Sequence, residues 1–227
     1  MNRYADVAGR FPREVVLLRG TGCFHKRCLF CDYDDDAAAD PFPDNRPVLA
    51  RVTGARGVLD VVNSGSIHEL DARTLTLLSH VLTARRIHTL WAEAHYAYVP
   101  RLQEIRDRFP GVTVRFRTGL ESFDPAFRRR MHKGIPDDVS PETVRAHFDG
   151  VCLLVGVEGQ TRAGVARDIA CAARLFDHVS VNVFCPNTTP IRRDEALTDW
   201  FLTRLAPHVR ALPHCEVLTH NTDLGVG

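Results

Sequence analysis

The sequence predicts an α/β fold on a parallel sheet, a partial and open (β/α)6 barrel. Three observations carry this. Short apolar runs alternate with stretches of helical periodicity, the pattern of successive βα units. The runs number six, too few to close an eight-stranded barrel. Three cysteines crowd the segment directly after the first run, at the C-terminal strand end where sheets of this kind gather ligands.

Taken in order, EVVLLRG (14–20) reads as the first strand and VLDVVNSG (58–65) as the second. IHTLWAE (87–93), VTVRFRTG (112–119), GVCLLVG (150–156) and HVSVNVF (178–184) follow, and CEVLT (215–219) suggests a short extra strand. Helix signals lie between them. Asp71 is placed to cap a helix carrying Leu75, Leu78 and Leu82 on one face. Pro100 suits a first helical position ahead of Leu102, Ile105 and Phe109. Asp124-Pro125 repeats that start before Phe127 and Met131. Thr161 opens a helix to about Phe176, and Asp194 opens one with Leu197, Phe201 and Leu205 on one face.

The 227 residues suit a single domain over 1–227, with a short C-terminal extension after about residue 206. Composition is ordinary for a globular chain, 44% hydrophobic and 25% charged, which argues against disorder. A net charge of +1 gives no broad nucleic-acid footprint. No apolar run reaches the roughly 18 residues of a membrane span, and MNRYADVAGRFPRE lacks a signal-peptide core. A cytoplasmic, reducing location is the expectation. Clustered cysteines there read as metal ligands or redox groups rather than disulfides.

Cys23, Cys28 and Cys31 are spaced C-x4-C-x2-C in the loop 21–33. Thiolates are soft ligands that select zinc, copper(I) or iron–sulfur clusters. A simple 4Fe–4S cluster takes four thiolates, so three leave one iron open for chemistry. The alternative is a structural zinc site with His25 or a distant cysteine as fourth ligand. Cys152, Cys171, Cys185 and Cys215 lack ligand-like spacing, so no second cluster is expected. Cys185, after the sixth strand, is either a buried structural residue or a hydrogen-atom donor facing a cavity. The acidic run YDDDAAAD (33–40) reads as a solvated loop or as a contact for a cationic substrate group. FRRRMHK (127–133) reads as a solvated helix face or as a phosphate site.

The triad, with Phe30 immediately before the third cysteine, resembles the radical S-adenosylmethionine (radical SAM) superfamily motif C-x3-C-x-aromatic-C. The first spacing departs from it by one residue. NSGS (63–66) resembles the short Gly/Ser-rich stretch after the second strand, and Glu93 an acidic residue after the third. GLES (119–122) with Lys133-Gly134, and GVEGQT (156–161), are similar to elements of elongator-like members, with Glu158 in place of a proline. The resemblance implies a partial barrel of the radical SAM type. It implies a 4Fe–4S cluster on the three cysteines and S-adenosylmethionine against Phe30, Tyr33, Ser64, Gly65, Ser66, Glu93 and Glu121. It also implies a 5′-deoxyadenosyl radical as the working species and an electron donor such as flavodoxin or ferredoxin, which Lys26 and Arg27 would attract unless they are simply solvated.

A narrower resemblance rests on LLRGTGCFHKRCLFCDY, VTGARGVLDVVNSGS and VNVFCPNTTPIRRDE. These are similar to the small radical SAM queuine lyases, which release queuine from queuosine or its 5′-phosphate. It implies a small nucleoside-like substrate, with Asp32, Asp34, Arg117, Asn182 and Asn187 as candidate contacts and Arg128 to Arg130 as further phosphate candidates. No catalytic residue is assigned. Two other readings stay open: a radical SAM enzyme modifying tRNA or another nucleoside, and a non-enzymatic zinc-binding module.

Overall fold

The computed structural model describes residues 1–227. The strands are β1 (Tyr4–Val7), β2 (Arg13–Leu18), β3 (Val58–Asn63), β4 (Thr89–Glu93), β5 (Thr113–Glu121), β6 (Gly150–Val155), β7 (His178–Val183) and β8 (Cys215–Leu218). They follow one another in chain order in the sheet. β1 pairs antiparallel with β2, while β2–β3, β3–β4, β5–β6, β6–β7 and β7–β8 are parallel. β6 is buried at every position and β2 and β7 at all but one. Near-continuous burial along a strand is what a parallel sheet covered on both faces requires.

The helices are α1 (Phe42–Ala50), α2 (Ala72–Ala84), α3 (Leu102–Arg108), α4 (Pro125–Arg130), α5 (Pro141–Arg145), α6 (Arg162–Leu175), α7 (Glu195–Trp200) and α8 (Ala206–Ala211). The expected caps are in place. Asp71 accepts from the Arg73 and Thr74 N–H groups, Asp124 from Ala126, Thr161 from Gly164 and Asp194 from Leu197. Leu75, Leu78 and Leu82 are buried as their spacing demands. Pro100 does not open a helix. It sits in a 3₁₀ turn over Tyr96–Arg101, and α3 starts at Leu102. β1, α1, α5 and α8 were not anticipated. α1 holds Pro43 in its first turn, where a missing N–H costs nothing, and Pro47 further in. It persists because Asn45, Val48 and Leu49 are buried.

Contacts divide the chain into two compact units. The first comprises residues 1–26, 33–116 and 222–227, the second 27–32 and 117–221. In the first, Glu14 is buried at the start of β2. It accepts hydrogen bonds from the Tyr4 hydroxyl (2.7 Å), the Thr53 N–H (2.7 Å) and hydroxyl (3.0 Å), and the Gly54 N–H (2.7 Å). Arg13 and Asp60 form a buried ion pair at 3.0 Å beside it. In the second unit, Phe127, Met131, Leu154, Val157 and Phe184 make a core cluster on which Phe30 and Ile191 pack. Arg128 is not part of a solvated face. It is 1% exposed, and its guanidinium donates to the carbonyls of Ser122, Phe123 and Pro136 at 3.0–3.3 Å. No helix is long and apolar enough to cross a membrane.

Burial alone would raise the Glu14 pKa, but the donors on Thr53, Tyr4 and Gly54 outweigh it and hold the carboxyl below its ordinary value. A depressed pKa contributes stability that is complete above the unfolded value and is lost as pH falls through the folded one. Glu14→Gln is expected to destabilise by about 1–3 kcal/mol at neutral pH. That deficit should shrink as pH drops below the carboxylate range, measured by urea unfolding across pH 3–8.

Candidate functional site

The cysteine loop is fastened at both ends. In the first unit, Gly20 donates its N–H to Ser64 Oγ (3.2 Å), and Thr21 donates its N–H and hydroxyl to the Glu69 carbonyl (2.9 and 3.0 Å). The Cys23 N–H meets Asp34 Oδ1 (2.6 Å) and the Phe24 N–H meets Glu69 Oε1 (2.8 Å). Lys26 Nζ lies 2.8 Å from Asp34 Oδ2. Burial opposes the Asp34 charge, but Lys26 and the Cys23 N–H prevail and lower its pKa. Asp34 therefore shapes the loop around Cys23. Asp36 accepts from Arg3 (3.0 Å) and Arg19 (3.2 Å), so the acidic run is in part an internal ion-pair network rather than a solvated loop.

Glu69 is the residue that sequence reasoning missed. It is buried, and its carboxylate accepts from the Phe24 N–H, the Ser66 N–H (2.6 Å) and the Tyr98 hydroxyl (3.1 Å). With Ser66 it forms a capping box on the turn Ile67–Glu69. Ser66-x-x-Glu69 was legible as such a box; that its carboxylate also reaches Phe24, 45 residues away in sequence, was not. Gly65 is obligatory, since a Cβ there would lie 1.9 Å from Glu69 Oε2 and 3.4 Å from the Cys23 Cα. Ser66 Oγ accepts from the His95 N–H (3.0 Å), just past β4 and the half-buried Glu93. Asn63 donates to the Ser66 carbonyl (3.0 Å), while its buried Oδ1 has no hydrogen-bond donor in the protein. Tyr33 is 57% exposed. His25 and His95 stack at 5.1 Å, and Phe24 meets the Tyr98 ring edge-on at 5.1 Å.

The rest of the loop belongs to the second unit. The Leu29 N–H donates to the Met131 carbonyl (3.1 Å), and the Cys31 N–H to the Cys28 carbonyl (3.3 Å). Asn187 donates to the Phe30 carbonyl (2.7 Å) and Asp32 accepts from the Thr188 N–H and hydroxyl (both 3.1 Å). Asn187 and Asp32 therefore hold the loop. Arg117 is buried in β5, and Asn182 in β7 accepts from the Ser180 hydroxyl (2.8 Å). β5 ends on Glu121, whose backbone has φ +69° at an irregularity in the register with β6. Its carboxylate pairs with Lys133 at 2.9 Å, both residues buried. A cavity of about 250 Å³ is lined by Leu29, Arg130, Met131, Glu158, Ile191 and Arg192, among others. Cys185 is half-buried, with its sulfur 3.6 Å from the Val183 carbonyl.

None of the seven cysteines is in a disulfide, and Cys23, Cys28 and Cys31 are each half-buried. No group of three or more His, Cys, Asp or Glu side chains converges on a single-ion position. An iron–sulfur cluster takes its thiolates on different irons, so its ligands do not converge on one point.

No family model matches the chain, and no curated protein matches it. Among solved structures it is similar to the queuine lyase from Clostridium spiroforme bound to SAM and queuine. Identity is 35%, the TM-score is 0.95, and the match covers 100% of this chain and 99% of that one. A cobalamin-dependent S-adenosylmethionine radical enzyme, OxsB, matches at 12% identity and a TM-score of 0.44 over 83% of this chain and 29% of its own, too loosely to carry an argument. The expected α/β partial barrel of the radical SAM type is the fold of the chain. With more than a third of its residues identical over essentially the full length of both proteins, the chain belongs to the queuine lyase family of radical SAM enzymes.

Proposed function

We propose that this protein is a radical SAM lyase that releases queuine from queuosine or queuosine 5′-phosphate. The observation that carries the reading is full-length similarity to the queuine lyase solved with SAM and queuine, together with the tri-cysteine loop. Cys23, Cys28 and Cys31 would hold a 4Fe–4S cluster. The residues fit it: three soft donors, none in a disulfide, on a loop whose backbone is pinned on either side. S-adenosylmethionine fits the stretch after β3. Asn63 Oδ1 is a buried acceptor without a donor, next to Ser64, Gly65 and Ser66, and an ammonium group would satisfy it. When bound, cluster and cofactor supply a 5′-deoxyadenosyl radical that removes a hydrogen atom from substrate.

The chain's own part is to bind, orient and exclude water. Glu69 fixes the peptide after Cys23, and Asp34 fixes the peptide of Cys23 itself. Phe30, packed on the second unit's core, gives a flat apolar face for an adenine. Tyr33, Glu93 and Glu121 are further cofactor-contact candidates. For substrate, Arg117 and the half-buried Asn182 remain the polar candidates. Asp32, Asp34 and Asn187 act on it through the loop they hold. The electron donor would be a flavodoxin or ferredoxin and the setting the cytoplasm. A tRNA-modifying activity or a zinc module has no specific observation in its favour.

Anaerobically reconstituted and reduced, the protein should contain iron and sulfide and convert queuosine 5′-phosphate to free queuine, with 5′-deoxyadenosine formed. Cys28→Ala should bring both products to background. 5′-Deoxyadenosine without free base would overturn the lyase reading, and zinc without iron or sulfide the cluster. Glu69→Gln replaces a charged acceptor of three hydrogen bonds and should destabilise by about 1–3 kcal/mol. Its loaded cluster should lose iron to a chelator faster than wild type, followed by absorbance. Gly65→Ala should behave the same way, because its Cβ displaces the same carboxylate.

A further inference from the structure

Lys133 is a buried ammonium group, 8% exposed. It follows α4 in a turn that satisfies the helix end: the His132 N–H donates to the Arg129 carbonyl (3.0 Å), and the Lys133 N–H to the Arg128 carbonyl (2.9 Å). His132 takes the left-handed conformation at φ +53° that such an ending requires. The side chain is therefore aimed by the backbone. It runs to Glu121 Oε1 at 2.9 Å and lies 5.6 Å from the centroid of the Phe30 ring, within cation–π range. Phe30 stands immediately before Cys31 and two residues after Cys28.

The acceptor side is arranged with equal care. Glu121 adopts a φ of +69°, a conformation that disfavours a side chain of its size. Gly119 leaves the room: a Cβ there would lie 2.8 Å from Glu121 Oε1 and 3.2 Å from Lys133 Nζ. A buried pair of this kind is weak evidence for stability, because desolvation offsets most of the attraction. A strained backbone and a glycine vacancy kept for such a pair point to a role beyond stability.

We infer that the Lys133–Glu121 pair sets the reduction potential of the cluster held by Cys28 and Cys31, with Lys133 supplying positive potential at the thiolates and Glu121 limiting it. The inference rests on the cluster reading above. One-electron reduction adds one negative charge to the cluster, from whatever reductant is present. A fixed cation beside the thiolates favours that state and a fixed anion opposes it. Lys133 Nζ lies over the ring of Phe30, the residue immediately before Cys31, and the Leu29 N–H, next to Cys28, donates to the Met131 carbonyl two residues before Lys133, so the ammonium stands against the segment that carries both thiolates.

The test is a potentiometric titration of the reconstituted cluster, read by electron paramagnetic resonance with no S-adenosylmethionine present. Wild type, Lys133→Met, Glu121→Gln and the double variant are compared. Lys133→Met should lower the reduced-to-oxidised ratio at fixed poise by about tenfold, roughly 59 mV for one electron. Glu121→Gln should shift the ratio the other way. Lys133→Met leaves a carboxylate buried without its cation and risks misfolding; the double variant, with neither charge of the pair, then gives the lysine effect against Glu121→Gln alone. Opposite shifts from the two single variants, or a double variant displaced to lower potential than Glu121→Gln, support the inference. Iron and sulfide present with unmoved potentials overturn it, including the case in which only S-adenosylmethionine binding weakens. Absence of iron and sulfide from wild type overturns both the cluster reading and the inference.

Discussion

One buried carboxylate ties the Cys23 end of the chemistry-bearing loop to two other segments of its unit. Glu69 closes the turn after β3 on itself through the Ser66 N–H and reaches the loop after β2 through the Phe24 N–H, with the Tyr98 hydroxyl as third donor. Each bond would be modest with a neutral acceptor. With an ionised one, charge-assisted and out of water, they are the strong kind. The consequence is visible on a partner group. Burial, followed by the Glu69 charge, pushes the Tyr98 pKa up to about 12, so the phenol stays a donor. Three segments distant in sequence are thus fixed relative to one another by one group, and the peptide after Cys23 is one of them.

The second unit solves the same problem with different chemistry. The remainder of the loop is held by a carboxamide at Asn187, a carboxylate at Asp32 and packing of Phe30 on an apolar cluster. Arg128 shows how the surrounding turns are made rigid. Its buried guanidinium takes three backbone carbonyls from the segments that flank α4. Carbonyls that would otherwise lie desolvated are satisfied by one side chain. α4 is thereby fixed at both ends, and its last turn directs Lys133 to Glu121.

What the sequence disclosed follows from range. The six expected strands were legible because each carries a short apolar cluster between polar segments, continuous in β6 and alternating with polar residues in β5 and β7. The caps at Asp71, Asp124, Thr161 and Asp194 were legible because a cap acts within three residues. The cysteine spacing was legible for the same reason. β1 was missed because Tyr-Ala-Asp-Val is short and half-polar and is defined by its register against β2. α1 was missed because Pro43 and Pro47 argue locally against a helix that burial of Val48 and Leu49 sustains. The roles of Asp34, Glu69 and Arg128 depend on partners brought together by the fold. The sequence shows a charge run, a capping box and a basic helix; it does not show which backbone groups they meet.

The two ends of the strands carry different kinds of polar group, and the difference separates stability from function. At the start of β2, Glu14 and Arg13 meet donors and acceptors that satisfy them, Glu14 with four bonds and Arg13 with Asp60. Such a network is closed and leaves nothing to a ligand. At the strand ends the pattern opens. Asn63 closes β3 with an amide oxygen that no protein group fills, Glu121 closes β5 in a disfavoured conformation, and glycines at 65 and 119 leave space that a methyl group would occupy. An unfilled acceptor and a strained backbone both cost stability, and a fold retains them where something else is to be bound. In parallel sheets ligands bind at the C-terminal strand ends. Within each unit these exceptions fall at such an end, after β3 in the first and at the end of β5 in the second, and their position, more than their number, separates binding from stability.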